Sequence, residues 1–113
     1  MARRSEFADW VVEQLAPLGL VRAKGMFGGF GLYLDDLFFG LVADDVLYLK
    51  ADEVNRSKFE KVGAEPFTYE AKGAKRVALS YYPPPEAALD DPDELADWAR
   101  DSVDAALRAR GRK

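Results

Sequence analysis

Between Met26 and Asp52 the chain reads MFGGFGLYLDDLFFGLVADDVLYLKAD, three short apolar runs separated by two Asp-Asp pairs. Two-residue connections between such runs leave room only for tight hairpins. A type I′ hairpin turn requires positive φ at both central positions, which aspartate tolerates better than most residues with a side chain. The spacing therefore predicts strands at 30–34, 37–42 and 46–50 wound into an antiparallel meander, with a less regular strand at 22–27 before it. Leu37, Phe39 and Leu41 are expected on one face of the middle strand, and Phe38 and Val42 on the other.

The flanking segments switch to helical periodicity. Phe7, Val11, Leu15 and Leu18 recur at helix spacing with Trp10 widening the stripe, so 5–18 reads as a helix capped by Ser5, with an irregular last turn at Pro17. A second helix is expected from Asp52, with Val54, Phe59 and Val62 turned inward and Gly63 at its exit. Strands at 66–70 and 76–82 follow, and Pro83-Pro84-Pro85 ends the sheet. Asp91 before Pro92, with Glu94 three residues on, marks the start of a third helix by a capping-box pattern. Its buried face should carry Leu95, Trp98, Ala99, Val103, Ala106 and Leu107. The fold class implied is α+β, in the order α-β(3-4)-α-β(2)-α, with helices packed on one face of an antiparallel sheet.

At 113 residues the chain is expected to form one domain over 1–113, with a core at about 5–107 and a basic tail at 108–113. The longest apolar run, Leu37–Ala43, is far short of a membrane span, and no signal-peptide core precedes the first helix. The cytoplasm is the expected location. Cysteine and histidine are both missing, which removes thiol chemistry, Cys- and His-based metal sites and the commonest general base. No catalytic residue, cofactor or metal ligand is expected. The Asp35-Asp36 and Asp44-Asp45 pairs are explained by turn chemistry, since a hard cation would need further converging oxygens.

Net charge is −4, unevenly spread. Residues 86–104 hold eight carboxylates against Arg100, whereas Arg108, Arg110, Arg112 and Lys113 close the chain. An acidic start and a basic end suit the macrodipole of one helix; the competing reading is a nucleic-acid tail. The glycines from Gly25 to Gly31 match no phosphate-loop spacing and lead into a strand, where glycine marks a bulge or close backbone approach. Aromatics are dense on the expected strands, and a sheet of this kind can stack single-stranded bases. The carboxylates flanking the meander oppose phosphate, so core packing and a partly apolar second face are the preferred account.

The ordered set of residues resembles the TfoX (Sxy) N-terminal domain family. Met26-Phe27-Gly28-Gly29-x-Gly31-x-Tyr33 is followed by Phe39-Gly40-Leu41-Val42-Ala43-Asp44-Asp45-x-Leu47-Tyr48-Leu49-Lys50, then Phe59…Gly63, Pro66-Phe67-x-Tyr69, Ser80-Tyr81-Tyr82 and Leu89-Asp90-Asp91-Pro92-x-x-Leu95-x-x-Trp98. The resemblance implies a two-layer fold similar to secretion-chaperone-like domains. Full-length members regulate competence genes for DNA uptake and are thought to act with the cyclic-AMP receptor protein. They carry a second, helical domain, for which this chain is expected to leave no room. The resemblance supplies no catalytic residues.

A non-enzymatic regulatory or protein-interaction module is thus the leading expectation, with a nucleic-acid-binding domain second and a ligand binder or enzyme last. Phe38, Tyr48, Tyr81 and Tyr82 are the candidate partner surface, and a homodimer through the uncovered sheet face is the expected assembly. In the competing reading Lys50 and Arg76 lie over the aromatics of a monomer.

Overall fold

Hairpin turns set the architecture. In the computed structural model, which describes residues 5–26, 28–78 and 80–111, strands β1 (Val21–Met26), β2 (Gly29–Leu34), β3 (Leu37–Ala43) and β4 (Val46–Lys50) run as a continuous antiparallel meander. Asp44 and Asp45 both have positive φ (52° and 58°), as a type I′ turn requires, whereas in the preceding turn only Asp35 does, at 55°. After helix α2 (Arg56–Lys61), β5 (Phe67–Ala71) and β6 (Ala74–Ala78) form a separate two-stranded sheet. The strand expected over 76–82 is therefore divided. Its end, β7 (Tyr81–Tyr82), pairs with β4 and completes a five-stranded sheet in the order β1-β2-β3-β4-β7. The fold is α+β, with helices α1 (Glu6–Gln14), α2, α3 (Glu86–Leu89) and α4 (Pro92–Gly111).

Alternation along the meander is broken once, at a bulge. Leu32 pairs with Gly40 but Tyr33 pairs with Phe38, so Phe39 is an extra residue on β3. The bulge keeps Leu37, Phe39 and Val42 on the helix side and turns Leu41 outward with Phe38. That corrects the strict alternation expected from the sequence. Phe39 is fully buried as a result. Around it the core gathers Val11 and Leu15 of α1, Leu32, Val42, Leu47 and Leu49 of the sheet, Phe59 of α2 and Leu95, Ala99 and Val103 of α4.

The helices form where the sequence can cap them. Ser5 Oγ accepts the Ala8 N–H at 3.1 Å, and the chain leaves α1 through tighter turns, with the Leu18 N–H donating to the Leu15 carbonyl. Asp91 Oδ1 accepts the Glu94 N–H at 3.2 Å, which is half of a capping box. The reciprocal contact is replaced, because the Asp91 N–H donates to the Ala88 carbonyl at the end of α3. α2 begins four residues later than expected, since Asp52 closes a turn rather than a helix: its Oδ1 accepts the Val54 N–H at 2.9 Å. Val54 and Val62 consequently lie outside, 64% and 51% exposed, and only Phe59 of α2 is buried. On α4 the buried stripe centres on Leu95, Ala99 and Ala106, so Trp98 and Leu107 fall at opposite edges, each roughly a quarter-turn away. Trp98 is half-buried against Phe59, ring centroids 5.0 Å apart, and Leu107 is exposed.

Phe59→Ala should lower the free energy of unfolding by about 3–5 kcal/mol in denaturant titration, because the ring is fully enclosed. A Cβ at Gly29 would sit 1.9 Å from the Val42 carbonyl oxygen. Gly29→Ala should therefore cost about 2 kcal/mol or more by forcing β2 away from β3, and an unchanged midpoint would contradict the close approach.

Candidate interaction surface

The sheet face away from the helices is lined with rings. Tyr33 and Phe38 pair across β2 and β3 with centroids 5.3 Å apart, and Phe38 meets Tyr81 of β7 at 6.0 Å. Tyr48 of β4 lies 4.8 Å from Phe67, which stacks on Tyr69 at 6.0 Å, so the β5–β6 hairpin extends the strip beyond the main sheet. These are tilted or stacked pairs at ordinary aromatic separations; Tyr33, Phe38, Tyr48, Phe67 and Tyr81 are half-buried and Tyr69 is exposed.

Gly31 makes this packing possible. A Cβ there would lie 2.9 Å from Phe38 Cε1, 3.1 Å from Met26 Sδ and 3.2 Å from Tyr33 Cε1. The missing side chain is the seat on which three neighbours close. Of the glycine-rich motif, Gly28 takes φ of 70° in the connection between β1 and β2, Gly29 permits the approach to β3, Met26 is exposed at the end of β1, and Phe27 lies outside the described residues. Gly29 and Gly31 thus sit where a side chain would clash, and Gly31 lies beneath the aromatic strip.

Three of the four residues expected on a partner surface, Phe38, Tyr48 and Tyr81, lie on this face. Tyr82 does not. Adjacent strand residues point to opposite faces, so Tyr82 turns inward, stacks on Phe59 at 5.4 Å and is 2% exposed.

Basic side chains complete the surface: Lys50 is one that the monomer reading expects over the aromatics, with Arg76, and Lys24 is an addition to it. Lys24 Nζ stands 5.3 Å from the centre of the Tyr33 ring and Lys50 Nζ 5.5 Å from that of Tyr81. The period of two places Arg22 beside Lys24, and Arg76 pairs with Tyr69 on the hairpin. The signal was present in Arg22-x-Lys24, a same-face pair on a strand. Burial raises the phenol pKa of Tyr48, with Asp44 adding to it, and burial with Tyr33 does the same for Tyr81.

The basic helix end is already engaged. Arg108 donates through Nε and Nη2 to both carboxylate oxygens of Asp52, at 2.7 and 2.9 Å, and Arg110 Nη2 reaches Asp36 Oδ1 at 2.9 Å. These pairs tie α4 to the loop after β4 and to the β2–β3 turn, so Arg108 and Arg110 have partners within the fold; Arg112 and Lys113 lie outside the described residues. Hydrogen bonds from Arg108, helped by the Val54 and Asn55 N–H groups, hold the Asp52 pKa down at about 2. Arg110 likewise lowers that of exposed Asp36. Both shifted carboxylates thus have structural partners. A groove of about 1410 Å³ beside Glu6, Phe7, Met26, Phe30 and Asp44 is open to solvent and contains neither. Among the described residues no cluster of acidic side chains is arranged to hold a metal ion.

The family model for the TfoX N-terminal domain matches residues 13–106. The chain belongs to that family. Protein Sxy of Escherichia coli is 34% identical over 98 residues, covering 87% of this chain and 46% of Sxy. The DNA transformation protein TfoX1 of Aliivibrio fischeri is 29% identical over 87 residues, covering 77% of this chain and 41% of TfoX1. An uncharacterised 12.7 kDa protein of Spirochaeta aurantia is 37% identical over 60 residues, about half of each chain. This TfoX N-terminal domain spans about half the length of the relatives it matches. Among its described residues no helix is long and apolar enough to cross a membrane.

Asp52 is 18% and Arg108 33% exposed at the side chain, so screening of their pair is partial. A carboxylate whose pKa is depressed on folding stabilises the fold above its unfolded value of 3.8 and loses that contribution as pH falls toward about 2. Stability should decline across this window by about 1–2 kcal/mol from Asp52. Arg108→Met should remove most of that slope, and an identical acid profile in the variant would contradict the pairing.

Proposed function

We propose that this TfoX N-terminal domain is a non-enzymatic regulatory module that acts by binding, in the control of genes for DNA uptake. The observation that carries the reading is membership of the family across residues 13–106, with a DNA transformation protein among the relatives. The chemistry of the chain supports it. Cysteine and histidine are missing, and the two carboxylates with lowered pKa are engaged in ion pairs between elements. A rigid two-layer scaffold with one uncovered aromatic face suits recognition better than turnover.

Deleting the gene in its native host should lower both the transcripts of DNA-uptake genes and the transformation frequency, and the wild-type gene supplied in trans should restore them. Unchanged transcripts and unchanged transformation in the deletion strain would overturn the proposal.

A further inference from the structure

The whole-chain charge conceals a division between the two layers. Among the described strands the only carboxylate is Glu70, and the period of two puts it on the face of the β5–β6 hairpin opposite Phe67, Tyr69 and Arg76. The outer sheet face therefore presents Arg22, Lys24, Lys50 and Arg76 around the aromatic strip, with Asp44 near Tyr48 marking its acidic rim at one turn. Asp93, Glu94, Asp97, Asp101 and Asp104 all lie on α4, in the opposite layer. The acidic run of α4 is thus set apart from the rings, and the carboxylates that flank the meander stay in its two turns, Asp35-Asp36 and Asp44-Asp45, at the ends of the strands.

We propose that this outer face binds single-stranded nucleic acid. Its rings offer π-faces to unpaired bases in a way that is tolerant of sequence, and its cations are placed to meet the phosphates. Strands lie about 4.8 Å apart and Lys24 on β1 is in register with Tyr48 on β4, so Lys50, two residues further on, stands roughly 16 Å from it across the sheet, a distance spanned by two to three nucleotides. Each lysine now covers a tyrosine ring. Such a contact at an exposed site is weak, and moving the ammonium group to a phosphate uncovers the ring for a base. An acidic peptide would satisfy the cations but supplies no run of aromatic bases to stack on the array of Tyr33, Phe38 and Tyr81. Duplex DNA hides its base faces, which makes single strands the matched ligand.

The test is fluorescence anisotropy of the full chain with a labelled oligo-dT of about 15 nucleotides at about 50 mM salt, where four cation contacts predict a log–log salt slope of about −3. Binding should exceed that of a duplex of equal length and of poly-glutamate. Lys24→Glu and Lys50→Glu should each weaken it about tenfold, and Phe38→Ala by a similar factor, whereas Lys61→Glu on α2 should change it less than twofold. Thermal melts of each variant separate lost binding from lost folding, and the lysine variants keep the test decisive should Phe38→Ala unfold. No binding of the oligonucleotide, equal binding of poly-glutamate, or equal loss with Lys61→Glu would each overturn the proposal. This outcome is read on the purified chain, so it can fail while the regulatory reading stands.

Discussion

Burial of one face of the β1–β4 meander beneath α4 is the interaction on which the rest of this molecule depends. Leu32, Val42, Leu47 and Leu49 meet Leu95, Ala99 and Val103 across that interface, and Phe39 is driven into it by the bulge on β3. Once those side chains are committed inward, the pleat leaves no choice for their neighbours. Tyr33, Phe38, Leu41, Tyr48 and Tyr81 must point the other way. The uncovered aromatic face is the geometric complement of the core.

Two devices hold this arrangement. Glycines let backbone and rings approach: Gly29 brings β2 against β3, and Gly31 leaves the hollow over which Met26, Tyr33 and Phe38 converge. Ion pairs lock the far end of α4, with Arg108 on Asp52 and Arg110 on Asp36. Asn55 extends the first of these clamps, accepting the Asp52 N–H at 2.7 Å and donating to the Lys50 carbonyl at 3.0 Å. The loop that follows Lys50 at the end of β4 is therefore fixed by the same network that anchors the helix.

Much of this was legible in the residues. The Asp-Asp turns mark the meander, and Asp91-Pro92 marks the start of α4, because turn and cap chemistry are local. The failures are non-local. Phe39 could not be recognised as a bulge from one strand, since a bulge is a property of a pair. Val54 and Val62 were misplaced because Asp52 and Asn55 hydrogen-bond to each other and delay the helix. Tyr82 was assigned to the surface alongside Tyr81, although alternation alone separates them. The place of Lys24 is not legible in β1 alone, because it depends on Tyr33 lying on the neighbouring strand.

The division between a sealed inner face and an open outer one is tested most directly by NMR of the ring protons with an inert paramagnetic gadolinium chelate in the solvent. The account predicts strong relaxation enhancement at Tyr33, Phe38 and Tyr69, with Phe39, Phe59 and Tyr82 protected. Protection of Tyr33 and Phe38 equal to that of Phe39, or enhancement at Tyr82 equal to that at Tyr69, would contradict it.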